Sequence, residues 1–168
     1  GAGAQTNTPM GVEGEDKGYK GFIPGVYYLL EINLGRDPYP EGKRVVVVGG
    51  GNVAIDCVRS SFRVGKPDVN LVYRRTKKEM PADRVEIHDA EEEGVKFHYL
   101  CNPVRIVEKD GKVVGVECIR MELGEPDESG RRRPVPVKGS EFFIEADILI
   151  PAIGQAIDLS FLEEKDGV

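Results

Sequence analysis

Residues 43–63 read KRVVVVGGGNVAIDCVRSSFR, and this stretch decides the fold. Val45 to Val48 is an unbroken β-branched run, the pattern of a strand buried on both faces, and it stops at Gly49, Gly50 and Gly51. Beyond them, Ile55, Val58 and Phe62 share one helical face until Gly65 and Pro67 end the period. The reading is strand, glycine turn, helix. Gly49, Gly51 and Ala54 occupy the three defined positions of GxGxxA, in the context that gives this short motif its meaning. Each position has a physical role. Gly49 allows the tight turn, Gly51 lets backbone N–H groups approach a pyrophosphate, and Ala54 keeps the helix close to the sheet. The helix N-terminus adds partial positive charge where phosphates would lie.

Working outward, residues 69–73 form a second short apolar strand, residues 81–93 a charged amphipathic helix ending at Gly94, and residues 96–100 a third strand. Strands joined through helices of this length run parallel. The pattern then changes. Residues 104–108 and 113–121 flank Asp110-Gly111 as the arms of a hairpin, followed by a loop carrying Arg131, Arg132 and Arg133 and by a third meander strand at 141–144. The three arginines read as a solvated turn, with a partner or phosphate contact as the alternative. Residues 146–152 are a last apolar run that returns to the parallel sheet. Upstream, Phe22, Val26, Leu29, Leu30 and Ile32 predict a short helix before Gly35. The expected class is α/β, a Rossmann-like parallel sheet with an inserted antiparallel β-meander.

The end of the second strand carries cofactor choice, because NAD-binding chains place an Asp or Glu there for the ribose 2′-hydroxyl. Here the residues are Tyr73, Arg74 and Arg75, with no acid between Asp68 and Glu79. A guanidinium bonded to a 2′-phosphate contributes about 1.5–3 kcal/mol net, roughly tenfold or more in affinity. NADP(H) is therefore expected over NAD(H). The same pair of arginines speaks against an S-adenosylmethionine-dependent methyltransferase, which shares the turn but expects an acid.

Composition narrows the remaining choices. The 168 residues suffice for one nucleotide-binding core, and a net charge of −6 disfavours a general nucleic-acid or anionic-membrane binder. No apolar run approaches the ~18 residues of a membrane span. Cys57, Cys101 and Cys118 form no CxxC, and only His88 and His98 occur, so neither dithiol chemistry nor a metal site is expected. Asp56 and Glu79 are conceivable acid–base residues, but no nucleophile–base pair can be assigned and no residue is taken as catalytic. That fits hydride transfer, in which cofactors carry the chemistry. The compartment reads as cytoplasmic, and a start at Gly1 without methionine reads as a processed or excised chain.

Seven blocks, in order, carry a family resemblance: Val45 to Arg59, Val72 to Arg75, Glu79 to Ala82, Glu92 to Val95, Met121 to Asp127, Gly130 to Pro134, and Ala152 to Gln155. Together they resemble the small (beta) subunit of NADPH-dependent glutamate synthase and its flavoprotein relatives, including the NADPH-oxidising part of dihydropyrimidine dehydrogenase. The resemblance implies an NADP(H)-binding domain inserted in an FAD-binding domain, passing electrons through FAD to iron–sulfur clusters, with a larger catalytic subunit as a further partner. It implies that Gly49, Gly50, Gly51, Asn52 and Val53 hold the pyrophosphate, Arg74 and Arg75 the 2′-phosphate, and that Gly154 and Gln155 lie near the nicotinamide and flavin. Residues 26–154 would be the NADP(H) domain, with the meander at about 103–145, while 1–25 and 155–168 would connect to an FAD domain not contained in this chain. The chain departs from the family at Val12-Glu13-Gly14, where Ile-Pro-Gly is usual, and at Ile157, where proline is usual. A non-catalytic NADP(H)-binding or sensing module remains the alternative, separable by whether the flanking coding sequence carries flavin motifs.

Overall fold

Val45, Val46, Val47 and Val48 are buried on both sides, and this two-sided burial is why no polar residue interrupts the run. Residues 9–153 are described by the computed structural model of the chain. In chain order the elements are α1 (Gly25–Asn33), β1 (Arg44–Val48), α2 (Asn52–Arg63), β2 (Asp68–Tyr73), a single 3-10 turn (Lys77–Glu79), α3 (Arg84–Glu93) and β3 (Lys96–Tyr99). There follow β4 (Cys101–Lys109), β5 (Lys112–Pro126), β6 (Arg132–Pro136), β7 (Phe142–Glu145) and β8 (Ile148–Pro151).

Four strands form an all-parallel sheet in the order β3-β2-β1-β8. Alternate residues of β1 serve different layers. Val45 and Val47 pack with Leu71, Ile148 and Ile150 against Tyr28 of α1, Ile55 and Val58 of α2 and Ile87 of α3. Val46 and Val48 face the other way, with Val72 and Leu149, onto Ile106, Val113, Val116 and Cys118 of the antiparallel sheet. Fully burying each such side chain contributes about 1.5–3 kcal/mol, so the parallel sheet is held from both faces. Three layers result: helices, parallel sheet, antiparallel sheet.

The antiparallel layer departs from a simple meander. β4 and β5 form the expected hairpin around Asp110 and Gly111, whose positive φ values of 53° and 78° suit its two-residue turn. β5, however, continues to Pro126, and the predicted arginine loop contains a strand, β6, paired back through Leu123↔Pro134 and Met121↔Pro136. Pro134 and Pro136 lack the N–H that a strand normally contributes, which hides β6 from a propensity reading. β7 then takes up the same edge of β5, from Cys118↔Phe142 to Gly115↔Glu145.

Two helix expectations shift. α3 begins at Arg84 rather than at 81, because the Asp83 side chain accepts from the N–H groups of Val85 and Glu86 while the Ala82 N–H is committed to the Gly50 carbonyl. In α1, Leu30 is exposed, and Tyr28 turns inward to share a 2.9 Å hydrogen bond with Ser61 of α2. The segment before α1 is more than loop. Glu13 bridges to Arg105, Lys20 to Lys112 and Phe22 to Leu149, and Val12 is buried with the second core.

Candidate functional site

The carboxyl ends of β1, β2 and β8 open into a cavity of about 480 Å³. Its walls include Gly49, Gly50, Gly51, Asn52 and Val53, then Tyr73, Arg74 and Arg75, and from distant parts of the chain Asn102, Arg131, Ala152 and Ile153. Crevices at this end of a parallel sheet are where α/β folds bind ligands.

The three glycines have three different surroundings. Gly49 has φ of 144°, and a Cβ there would lie 2.5 Å from the Ala152 carbonyl oxygen, so β8 requires glycine. A Cβ on Gly50 would strike the Tyr73 ring. Gly51 has ordinary backbone angles and nothing within 4 Å of an added Cβ. Its lack of a side chain therefore keeps space open beside the start of α2. No side chain caps that helix and its first turn carries no acid, so its leading N–H groups and dipole are available to an anion. The Asn52 side chain is engaged elsewhere. Its Oδ1 accepts from the Asp83 N–H at 3.1 Å, joining α2 to the N-terminus of α3.

The arginines are placed unequally. Arg74 is exposed at the rim, where partial desolvation and then the Arg75 and Arg131 charges lower its pKa. Arg75 is only 5 % exposed. Its Nε donates to the Arg132 carbonyl at 2.8 Å and its Nη2 lies 3.6 Å from Asp127, while its buried Nη1 has no partner among the described residues. This residue is thus a strut holding the β5–β6 hairpin against the end of β2, with one N–H-bearing atom left over.

Arg131, read from sequence as part of a solvated turn, reaches the cavity. Its Nη2 donates to the Tyr73 hydroxyl at 3.2 Å, and its Nε is buried without a partner among the described residues. The signal was present as three arginines beside Asp127 in a turn, but sequence carries no indication that the turn folds back onto β2. Lys77 is spent on Glu91 at 2.6 Å and does not line the cavity. Glu79 accepts from the Thr76 N–H and hydroxyl, capping the 3-10 turn, and Asp56 lies on the exposed side of α2 outside the cavity. Gly154 and Gln155 fall outside the described residues.

A parallel sheet with a glycine turn leading into a helix, and a cavity at the strand ends, define a Rossmann-like α/β domain. Solved structures share it: the chain matches a T. acidophilum thioredoxin reductase with a TM-score of 0.68 at 21 % identity, covering 95 % of this chain and 44 % of that one. It matches Mycobacterium tuberculosis FprA in complex with NADPH with a TM-score of 0.69 at 19 % identity, covering 89 % and 48 %. At these identities the likeness is one of fold. A profile of the pyridine nucleotide-disulphide oxidoreductase family matches residues 1–168, and the chain belongs to that family.

Among curated relatives, the beta subunit of NADP(+)-dependent formate dehydrogenase from Moorella thermoacetica is 59 % identical, over 97 % of this chain and 23 % of its own length. The beta subunit of NADPH-Fe(3+) oxidoreductase from Geobacter sulfurreducens is 58 % identical over 99 % and 25 %. The glutamate synthase [NADPH] small chain of Escherichia coli is 51 % identical over 68 % and 24 %. The chain spans about a quarter of the length of these relatives. Among the described residues no helix is long and apolar enough to cross a membrane.

Proposed function

We propose that this chain is the NADP(H)-binding domain of a flavoprotein oxidoreductase, a subunit of a larger enzyme in which hydride passes from NADPH to FAD and electrons continue to iron–sulfur clusters. The observation that carries the reading is a single cavity with two features. At one end is a glycine turn left open at Gly51; at the other is a buried guanidinium, Arg75, with an unsatisfied Nη1. An unpaired buried N–H costs about 1–3 kcal/mol, and an anionic oxygen would remove that cost. The names of the relatives, all NADP(+)- or NADPH-dependent oxidoreductase subunits, support the same nucleotide.

In this reading the N–H groups at the start of α2 bind the pyrophosphate, with Gly49 and Gly50 shaping the turn and Asn52 holding it to α3. Arg74 and Arg75 bind the 2′-phosphate, and Gly154 lies toward the nicotinamide. When bound, the nicotinamide supplies the hydride; the chain's own residues bind, orient and select. Flavin and clusters belong to other parts of the enzyme or to partner subunits. Free, buried Cys57, Cys101 and Cys118 support a reducing compartment, the cytoplasm.

The test is the affinity ratio of the two nucleotides. NADPH should bind at least about tenfold tighter than NADH by calorimetry. Equal or tighter binding of NADH would overturn the assignment.

A further inference from the structure

Among the described residues, the walls of the cavity carry three guanidinium groups, Arg74, Arg75 and Arg131, and no carboxylate. The acid paired with this cluster is Asp127, 3.6 Å from Arg75 Nη2, and it is already engaged: Asp127 Oδ1 accepts from the N–H groups of Ser129 and Arg131 and from the Ser129 hydroxyl. Among the described residues, three cations against one occupied anion leave an excess of about two positive charges, the complement of a phosphomonoester dianion. Two buried guanidinium N–H groups in this cluster, Arg75 Nη1 and Arg131 Nε, lack partners among the described residues.

The connections around Arg131 form a closed ring. Asp127 holds the Arg131 backbone, Arg131 Nη2 meets the Tyr73 hydroxyl, and the Tyr73 hydroxyl donates to the Glu79 carbonyl at 3.1 Å. Two residues after Tyr73, Arg75 returns to the hairpin through the Arg132 carbonyl. The Arg131 side chain is therefore immobilised before any ligand arrives, and the ordering cost of a long flexible side chain is already met.

We propose that Arg131, supplied by the β5–β6 hairpin, is a further 2′-phosphate-binding and specificity-determining residue, and that Asp127 is the positioning residue holding it there. This rests on the NADP(H) reading above and adds to it. The antiparallel layer thereby belongs to the nucleotide site: a ligand held by Arg74 at the end of β2 and by Arg131 at the hairpin is clamped between the two sheets.

The experiment is calorimetry on the intact protein with two probes, adenosine 2′,5′-bisphosphate and 5′-AMP, which differ only in the 2′-phosphate. Arg131→Gln should weaken the bisphosphate about tenfold and change 5′-AMP by less than about twofold, and Asp127→Asn should weaken the bisphosphate in the same selective way by about threefold. Arg131→Lys, which keeps the charge but loses the planar fork, should still lose about threefold in selectivity and serves if the glutamine variant does not fold. If Arg74→Gln loses the bisphosphate while both Arg131 variants keep wild-type selectivity, the inference is overturned and the NADP(H) reading stands. An equal loss for both probes in Arg131→Gln also overturns it, since a merely structural role predicts that result. If the wild type does not distinguish the probes, the NADP(H) reading itself fails.

Discussion

Arg131 Nη2 donates to the Tyr73 hydroxyl at 3.2 Å across 58 residues of sequence, so the end of a parallel strand and the turn of an antiparallel hairpin meet at one oxygen. That oxygen also donates to the Glu79 carbonyl, while the ring beneath it packs on Gly50. Tyr73→Phe separates the two roles. The ring contact survives and the hydroxyl bonds are lost, at about 1 kcal/mol. NADPH affinity should fall about fivefold, and thermal unfolding should shift by about 2–4 °C. Unchanged NADPH affinity would show that the hydroxyl does not organise the site.

Gly49 and Gly51, two residues apart, should fail in opposite ways. Gly49→Ala forces a side chain toward the Ala152 carbonyl at a φ of 144° and should destabilise the fold by roughly 2 kcal/mol or more, read as a lowered Tm. Gly51→Val meets open space at ordinary backbone angles. It should lower stability by no more than the loss of a favourable N-cap residue, about 1 kcal/mol, and lose NADPH binding about tenfold or more, because the new side chain occupies space the phosphates need. A Gly51→Val protein that binds normally would refute the assignment of that space to ligand.

Arg74 is the one exposed guanidinium of the cluster, so changing it tests charge without disturbing the core. Arg74→Asp should weaken NADPH about tenfold or more and improve NADH, since a carboxylate there repels a 2′-phosphate and accepts from a 2′-hydroxyl. Nucleotide titrations of the two proteins side by side check this. No gain for NADH would mean that the strand end does not select the ribose.

His98 predicts a dependence on pH. Burial, then the Lys96 charge, holds its pKa below the ordinary 6.5, with Nε2 at 2.9 Å from Asn70 Oδ1. Asn70 in turn donates to the Val45 carbonyl, so the imidazole borders the central strands. A lowered folded pKa means that the unfolded chain binds the proton more readily, so this stability is fully present above about pH 6.5 and is lost as pH falls through the folded pKa. Denaturant unfolding from pH 7.5 downward should show wild-type stability declining below about pH 6.5, with a smaller decline in His98→Gln. Identical slopes would show that His98 contributes nothing to the decline.

On the proposed reading, in which flavin is held by other parts of the enzyme, residues 1–168 purified alone should bind NADPH and remain colourless. An absorption spectrum showing stoichiometric flavin would contradict this.

The legible and illegible parts of this chain divide by the range of the forces involved. Val45 to Val48, the glycines and the period of Ile55, Val58 and Phe62 declare strand, turn and helix because local sterics and burial act within a few residues. β6 is unreadable in sequence because Pro134 and Pro136 suppress strand propensity, and only pairing with Leu123 and Met121 makes it a strand. The start of α3 moves to Arg84 because the Asp83 side chain caps it there, and the Gly50 carbonyl and Asn52 Oδ1, about thirty residues away, hold the Ala82 and Asp83 backbone just ahead of it.

The strands, the glycine turn and the basic end of β2 are written in adjacent residues whose chemistry acts locally, and the sequence alone determines them. The tertiary structure alone decided what the arginines do. It buried Arg75 as a strut to the hairpin, left Arg74 at the rim and brought Arg131 from a distant turn to the same cavity. Convergence of like charges is unfavourable unless the fold compels it, and here buried Arg75, bonded to the Arg132 carbonyl, and Tyr73, bonded to Arg131, hold the hairpin in place.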